Sequence, residues 1–138
     1  MIPRAAHRFL LASLFAVLAA AGGCEETPAG EAIAVPSGRD VRLIEIVTNA
    51  PGPEGATARF RFLAPGLTEA DAEAVTDDLQ ALCDSFALPR IDGMVPAPQQ
   101  IIISLAAEAA PFGEPAPGIV QFFESYRPDA GACQWEAF

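Results

Sequence analysis

Two glutamates, Glu124 and Glu136, fall on what read as the last two strands of the chain. Paired carboxylates held across neighbouring strands hydrolyse glycosidic bonds, one as acid and the other as base or nucleophile. Asp129, on the turn between them, adds a third carboxyl group. The plainer reading is an exposed pair balanced by Arg59, Arg61 or Arg127. Glu69, Asp71, Glu73, Asp77 and Asp78 form a denser acidic group, and calcium takes about six to eight such oxygens. That group lacks calcium-loop spacing and its central Gly, so it reads as a solvated helix face with a favourably charged first turn. Cys83 and Cys133 lack the Cys-x-x-Cys spacing of exchange catalysts and read as a structural bridge. Phe112, Phe122, Phe123, Tyr126, Trp135 and Phe138 gather the aromatics in the last third. Exposed, they would form a partner-binding patch; buried, they would fill the core of an Ala-rich domain.

The residues that are missing narrow the chemistry further. The only His is His7 and the chain has no Lys. Beyond residue 7, the Ser-His-Asp and Cys-His arrangements, Schiff-base chemistry, the phosphate-loop lysine and every His-containing zinc site are excluded. No catalytic, cofactor-binding or metal-ligating set is therefore expected, and no cofactor is implied.

The first residues explain where these groups work. Met1 to Arg8 carries Arg4 and Arg8, and Phe9 to Ala21 follows without a charge. Ala21-Gly22-Gly23-Cys24 then supplies small residues before a cut, the pattern of an export signal over residues 1–23. The apolar run falls short of the roughly 20 residues that span a bilayer. In a bacterial lipoprotein the residue after the cut is Cys, whose thiol receives a diacylglycerol, and Cys24 occupies that place. Glu25 lacks the Asp that retains such proteins at the inner membrane, so an outer-membrane tether is expected. An ordinary cut after Ala21, giving a soluble secreted protein with a free Cys24, is the competing reading. Without the signal, six basic residues, all Arg, face 18 acidic ones, a formal charge of −12. Such a balance repels phosphate backbones and anionic membrane surfaces, so nucleic acid is not an expected partner. Membrane association would come through the lipid on Cys24, and an envelope protein is the partner class that remains.

Residues 24–34, acidic and poor in large apolar groups, read as a flexible tether. Residues 35–138 read as one α+β domain. Val41 to Thr48 is rich in aliphatic and β-branched residues and is expected to be a strand. Ala58 to Leu63 alternates, with Phe60 and Phe62 on one side and Arg59 and Arg61 on the other, a half-buried strand. Across the Pro/Gly-rich loop from Asn49 to Ala56 the two form a hairpin. Thr68-Glu69-Ala70-Asp71 starts a helix with a capping-box variant. Val75, Leu79, Leu82, Cys83 and Phe86 share its buried face, with small Ala72. Glu73, Asp77, Asp78 and Asp84 are expected in solvent, and Pro89 is expected to stop the helix. Gln100 to Leu105, with Ile101, Ile102 and Ile103, suits a central strand covered on both faces. Pro111 to Gly118 is a second Pro/Gly-rich loop, and Ile119 to Tyr126 a strand. Pro128 to Gly131 reads as a turn with Gly131 at positive φ. Ala132 to Phe138 is the last strand, with Cys133, Trp135 and Ala137 on one side.

The order β-β-α-β-β-β predicts an antiparallel sheet of about five strands with one helix packed on one face. Cys83 on the helix and Cys133 on the last strand would then pin helix to sheet. Closing a loop of that length contributes about 4 kcal/mol before strain.

Several stretches resemble a known family: Val35-Pro36-Ser37-Gly38, Arg59-Phe60-Arg61-Phe62-Leu63-Ala64-Pro65, Ile103-Ser104-Leu105, and Phe122-Phe123-Glu124-Ser125-Tyr126-Arg127-Pro128 with Gly131-Ala132-Cys133-Gln134-Trp135-Glu136. Over about residues 34–138 they resemble a family of small exported proteins from Gram-negative bacteria, classed as a domain of unknown function. The resemblance implies no activity and no site residues. Some relatives carry an automatic acetolactate synthase label, which this sequence contradicts. It has no Gly-Asp-Gly cofactor motif, and Asp92-Gly93 stands alone on a loop. The expectation is a lipid-anchored, non-enzymatic accessory or binding module facing the periplasm. The rivals are a carboxylate-dependent hydrolase of an envelope polymer and a small-ligand or cation binder using the Pro/Gly-rich loops.

Overall fold

Alternation along one strand sets the two faces of the sheet. In the computed structural model, which describes residues 30–138 apart from 49, 51, 53 and 54, Thr57–Leu63 is a strand. Its Ala58, Phe60 and Phe62 are buried, and Arg59 and Arg61 point to the opposite side. This strand (β2) lies between β1 (Arg42–Val47) and β3 (Gln100–Ala106). Outside β3 come β4 (Gln121–Asp129) and β5 (Ala132–Glu136), so the sheet keeps chain order. The expected export signal over residues 1–23 and Cys24 lie outside the described residues. Pairing reaches back to Ala32, which bridges Arg42, and to Ile33, whose N–H donates to Val41 O at 2.8 Å.

The sheet is mixed, not antiparallel throughout as expected. β1–β2, β3–β4 and β4–β5 are antiparallel, but β2 and β3 run parallel, Thr57 beside Gln100 and Leu63 beside Ala106. The helical stretch between them is the cause. It carries the chain back to the end where β2 began, a crossover that parallel neighbours require and a hairpin cannot supply. β3 lies at the centre, with Ile101, Ile102 and Ile103 all buried.

The crossover begins with a 3-10 turn at Glu69–Asp71, continues as α1 (Ala74–Leu82), widens to a π turn at Cys83–Ala87 and ends as α2 (Leu88–Ile91). Thr68 donates to Asp71 Oδ2 from its N–H at 2.8 Å and from its hydroxyl at 2.9 Å. The Thr68 N–H, then the Arg39 guanidinium and the Thr68 hydroxyl hold the Asp71 carboxyl below the usual carboxylate range. Val75, Leu79, Leu82 and Cys83 are buried as expected, whereas Ala72 is exposed in the turn before α1.

Pro89 does not stop the helix. Its ring would clash with the carbonyl four residues back, and it has no N–H to donate there. The π turn relieves both, because Leu88 N–H reaches five residues back to Cys83 O and Pro89 falls in the first turn of a fresh helical segment. Termination comes after Ile91, where Met94 N–H donates to Ile91 O and Gly93 takes a φ of +80°.

Asp78 is also not where the helical wheel put it. It is fully buried and accepts from Ser37 N–H at 2.9 Å and Ser37 Oγ at 2.6 Å. Arg39, 3.9 Å from Asp78 and 2.9 Å from Asp71, bridges the two carboxylates. The Val35-Pro36-Ser37-Gly38 turn thus covers what would be the solvent side of the helix. Dispersal in solvent fails here because a distant segment supplies the polar partners that a buried carboxylate requires.

Asp129 belongs to β4, paired with Ala132, and only Ala130 and Gly131 form the hairpin loop. Pro128 is tolerated within β4 because it lies beyond the part of the strand that pairs with β3. At the far edge Cys83 and Cys133 are joined, with Cα atoms 6.1 Å apart. Beside the bridge, Cys133 N–H donates to Asp84 Oδ1 at 2.8 Å and Gln80 Nε2 donates to Cys133 O at 3.0 Å. Side chains of the helix thereby occupy backbone groups that an edge strand would otherwise present to another chain.

Candidate functional site

The helix covers one face of the sheet and leaves the other to loops. Strand register sets what that open face displays. Glu45, Arg61, Ser104 and Phe123 form one row across β1 to β4, and Val47, Arg59, Ile102 and Ser125 the next. The sequence placed Arg59 and Arg61 together on one side of β2. Their neighbours depend on the pairing of strands far apart in the chain.

Gly52 and the loop after β3 close over the two ends of this face. Near the start of β2, Thr57, Gln100 and Ser125 are buried and linked: Thr57 Oγ1 donates to Gln100 Oε1 at 3.2 Å, and Gln100 Nε2 donates to Ser125 Oγ at 2.8 Å. Gly52 rests on this group, and a Cβ there would stand 2.0 Å from Thr57 Oγ1, so only glycine allows the approach. At the other end the loop after β3 folds back. Its Phe112 ring lies 5.8 Å from the Arg59 guanidinium and 5.7 Å from that of Arg61, within cation–π range of both. Arg61 Nη2 donates to Ala110 O at 2.6 Å while Nη1 pairs with Glu45, which fixes loop to sheet.

Beneath the loop after β3 lies a cavity of about 260 Å³. Arg59, Arg61 and Ser104 supply its polar wall, and Phe112, Phe123 and Ile102 its apolar wall. Phe138 packs edge-on against Phe123 with ring centroids 5.4 Å apart and completes the apolar side. Phe123 is 55% exposed and Phe138 71%, which is unusual for large apolar groups. Arg61 is held by Glu45 and Ala110. Arg59 makes no hydrogen bond or ion pair among the described residues, and its Nε is buried without a partner. A guanidinium donates only and stays charged, so an unpaired one in a partly desolvated cavity calls for an acceptor.

The structure separates the two glutamates. Glu124 lies on the helix face of β4 beside Ile103, and its carboxylate accepts from Trp135 Nε1 at 2.6 Å. Glu136 pairs across from Ser125 on the open face, where Arg127 Nε binds it at 2.9 Å. A one-residue difference in register puts the two carboxylates on opposite sides of the sheet. The acidic group of the helix is likewise divided: Asp71 caps, Asp78 is buried against Ser37, and Glu69, Glu73 and Asp77 are exposed. Among the described residues no three His, Cys, Asp or Glu are placed to hold a metal ion. The gathered aromatics split too. Tyr126 is core, where burial, with Glu124 and Asp84 adding, pushes its hydroxyl pKa well above its ordinary value. Phe122 packs against the core, while Phe112, Phe123, Trp135 and Phe138 are exposed.

Arg59, Arg61 and Ser104 carry the cavity, and sequence reading gave them no site role. The Arg-Phe-Arg-Phe alternation is the available signal; it fixes the side on which the arginines lie but not what meets them there. No helix among the described residues is long and apolar enough to cross a membrane. No curated protein and no solved structure matches the chain. Residues 14–138, most of the chain including every described strand and helix, match the model of the Family of unknown function (DUF6497), and the chain belongs to that family.

Proposed function

We propose that this protein is an exported, lipid-anchored, non-enzymatic binding module of the bacterial envelope, and that the open face of its sheet is the binding face. The observation that carries the reading is the cavity under the loop after β3, with Arg59, which has no partner among the described residues, and the exposed Phe123 and Phe138. The signal-like first 23 residues and Cys24 support export and attachment, and the acidic composition argues against nucleic acid. The small-ligand reading of the Pro/Gly-rich loops gains a specific support, because such a loop roofs the cavity. The hydrolase reading has lost its motive, since Glu124 and Glu136 face opposite ways.

A photo-reactive side chain introduced at position 123, on the open face, should capture a ligand or partner in the cells that make the protein. The same group at position 77, on the exposed face of the helix, should capture nothing. Intact mass of the membrane fraction from those cells should begin at Cys24 with acyl groups added. Equal capture at both positions would refute the binding face, and a soluble chain beginning at Gly22 would refute the anchor.

A further inference from the structure

We propose that the cavity binds a small carboxylic acid carrying a single ring, with the carboxylate on Arg59 and the ring against Phe112 and Phe123. The proposal rests on the open face being the binding face and names its ligand class. Three features of the cavity select that chemistry.

The first is the charge. Arg59 has no acceptor among the described residues although its Nε is buried. The adjacent Ser104 hydroxyl, in the row that holds Arg61, lines the same space as a second donor. A planar guanidinium matches a carboxylate in two parallel hydrogen bonds. Because Arg61 is neutralised by Glu45, Arg59 is the cationic group of the wall left without a partner among the described residues, which suits a monoanion. Glu114, exposed on the loop and also lining the cavity, opposes an anion and would disfavour a polyanion such as a phosphate ester.

The second feature is the apolar side. Phe112 already presents a face to Arg59 and Arg61, and Phe123 meets Phe138 edge-on. Rings set this way offer both faces and edges to a further ring. The third is size. A volume of about 260 Å³ lies just below the usual range for ligand pockets and holds a single-ring acid rather than a polymer.

Phenylacetate, titrated calorimetrically into the full-length protein in detergent, tests this. It should bind with a Kd of about 1 mM or tighter, the strength open to a ligand of this size. The neutral phenylacetamide should bind at least tenfold more weakly, and so should acetate. Arg59→Gln should weaken phenylacetate at least tenfold, with Arg59→Lys recovering part of the loss. Glu114→Gln should strengthen it about twofold by removing a like charge. Arg127→Gln, on the same face but outside the cavity, should change nothing. Thermal unfolding confirms that each variant folds; if Arg59→Gln does not, Phe112→Ala on the exposed loop takes its place, with the same tenfold loss expected. Equal affinity for phenylacetamide, undiminished binding to the folded cavity variants, or no binding of phenylacetate at 10 mM would overturn the proposal. Capture from position 123 alongside such a failure would reject the ligand class and leave the binding face standing; loss of both would reject the face as well.

Discussion

Asp78 shows how a single residue ties distant parts of the chain together. Its fully buried carboxylate accepts from both the N–H and the hydroxyl of Ser37, which itself lies at the surface, and stands near the half-buried Arg39. Removing it would take the acceptor from both Ser37 donors, empty a buried position under the turn and leave Arg39 paired only with Asp71. Asp78→Ala should therefore cost about 2–3 kcal/mol in urea unfolding, and Ser37→Ala about 1 kcal/mol. Asp77→Ala, one residue away and exposed, should stay within about 0.5 kcal/mol of the parent. Equal effects of the two aspartate changes would show that the buried contact carries no special weight. The helix periodicity identified Val75, Leu79 and Leu82 as buried but could not reveal Asp78. A wheel separates apolar from polar faces and knows nothing of a second segment arriving with matched donors.

The β4–β5 hairpin shows what a short element demands of its residues. A two-residue loop that matches the right-handed twist of its strands takes positive φ at both positions. Gly131 adopts φ +81° without penalty, but Ala130 sits at φ +50°, where its Cβ crowds the following carbonyl. Ala130→Asn should raise stability by about 0.5–1 kcal/mol, read as a higher urea midpoint at unchanged slope. Gly131→Ala should lower it by about 1–2 kcal/mol. A turn was legible here from Pro128 to Gly131, and so was the positive φ of Gly131. The length of β4 was not, because Pro128 argues against a strand unless the strand is known to outrun its neighbour.

At the scale of the molecule, the helix is attached to the sheet through a buried apolar stripe and clamped at one edge by Cys83–Cys133, Gln80 and Asp84. Replacing both cysteines with Ala should cost about 4 kcal/mol, and urea unfolding of the parent with and without reductant should show the same difference. A double variant as stable as the oxidised parent would place the clamp in the hydrogen bonds instead. The cavity lies on the opposite face, so the double variant that remains folded should keep its ligand affinity. The sequence by itself determined the α+β class, the faces of β2, the central place of Ile101 to Ile103 and the pairing of the two cysteines. Each follows from local periodicity or from the identity of the side chains. Only the tertiary structure decided the parallel β2–β3 pairing, the separation of Glu124 from Glu136 and the meeting of Arg59 with Phe112. These depend on strand register and on where a long loop returns, and both are settled by contacts between residues far apart in the chain.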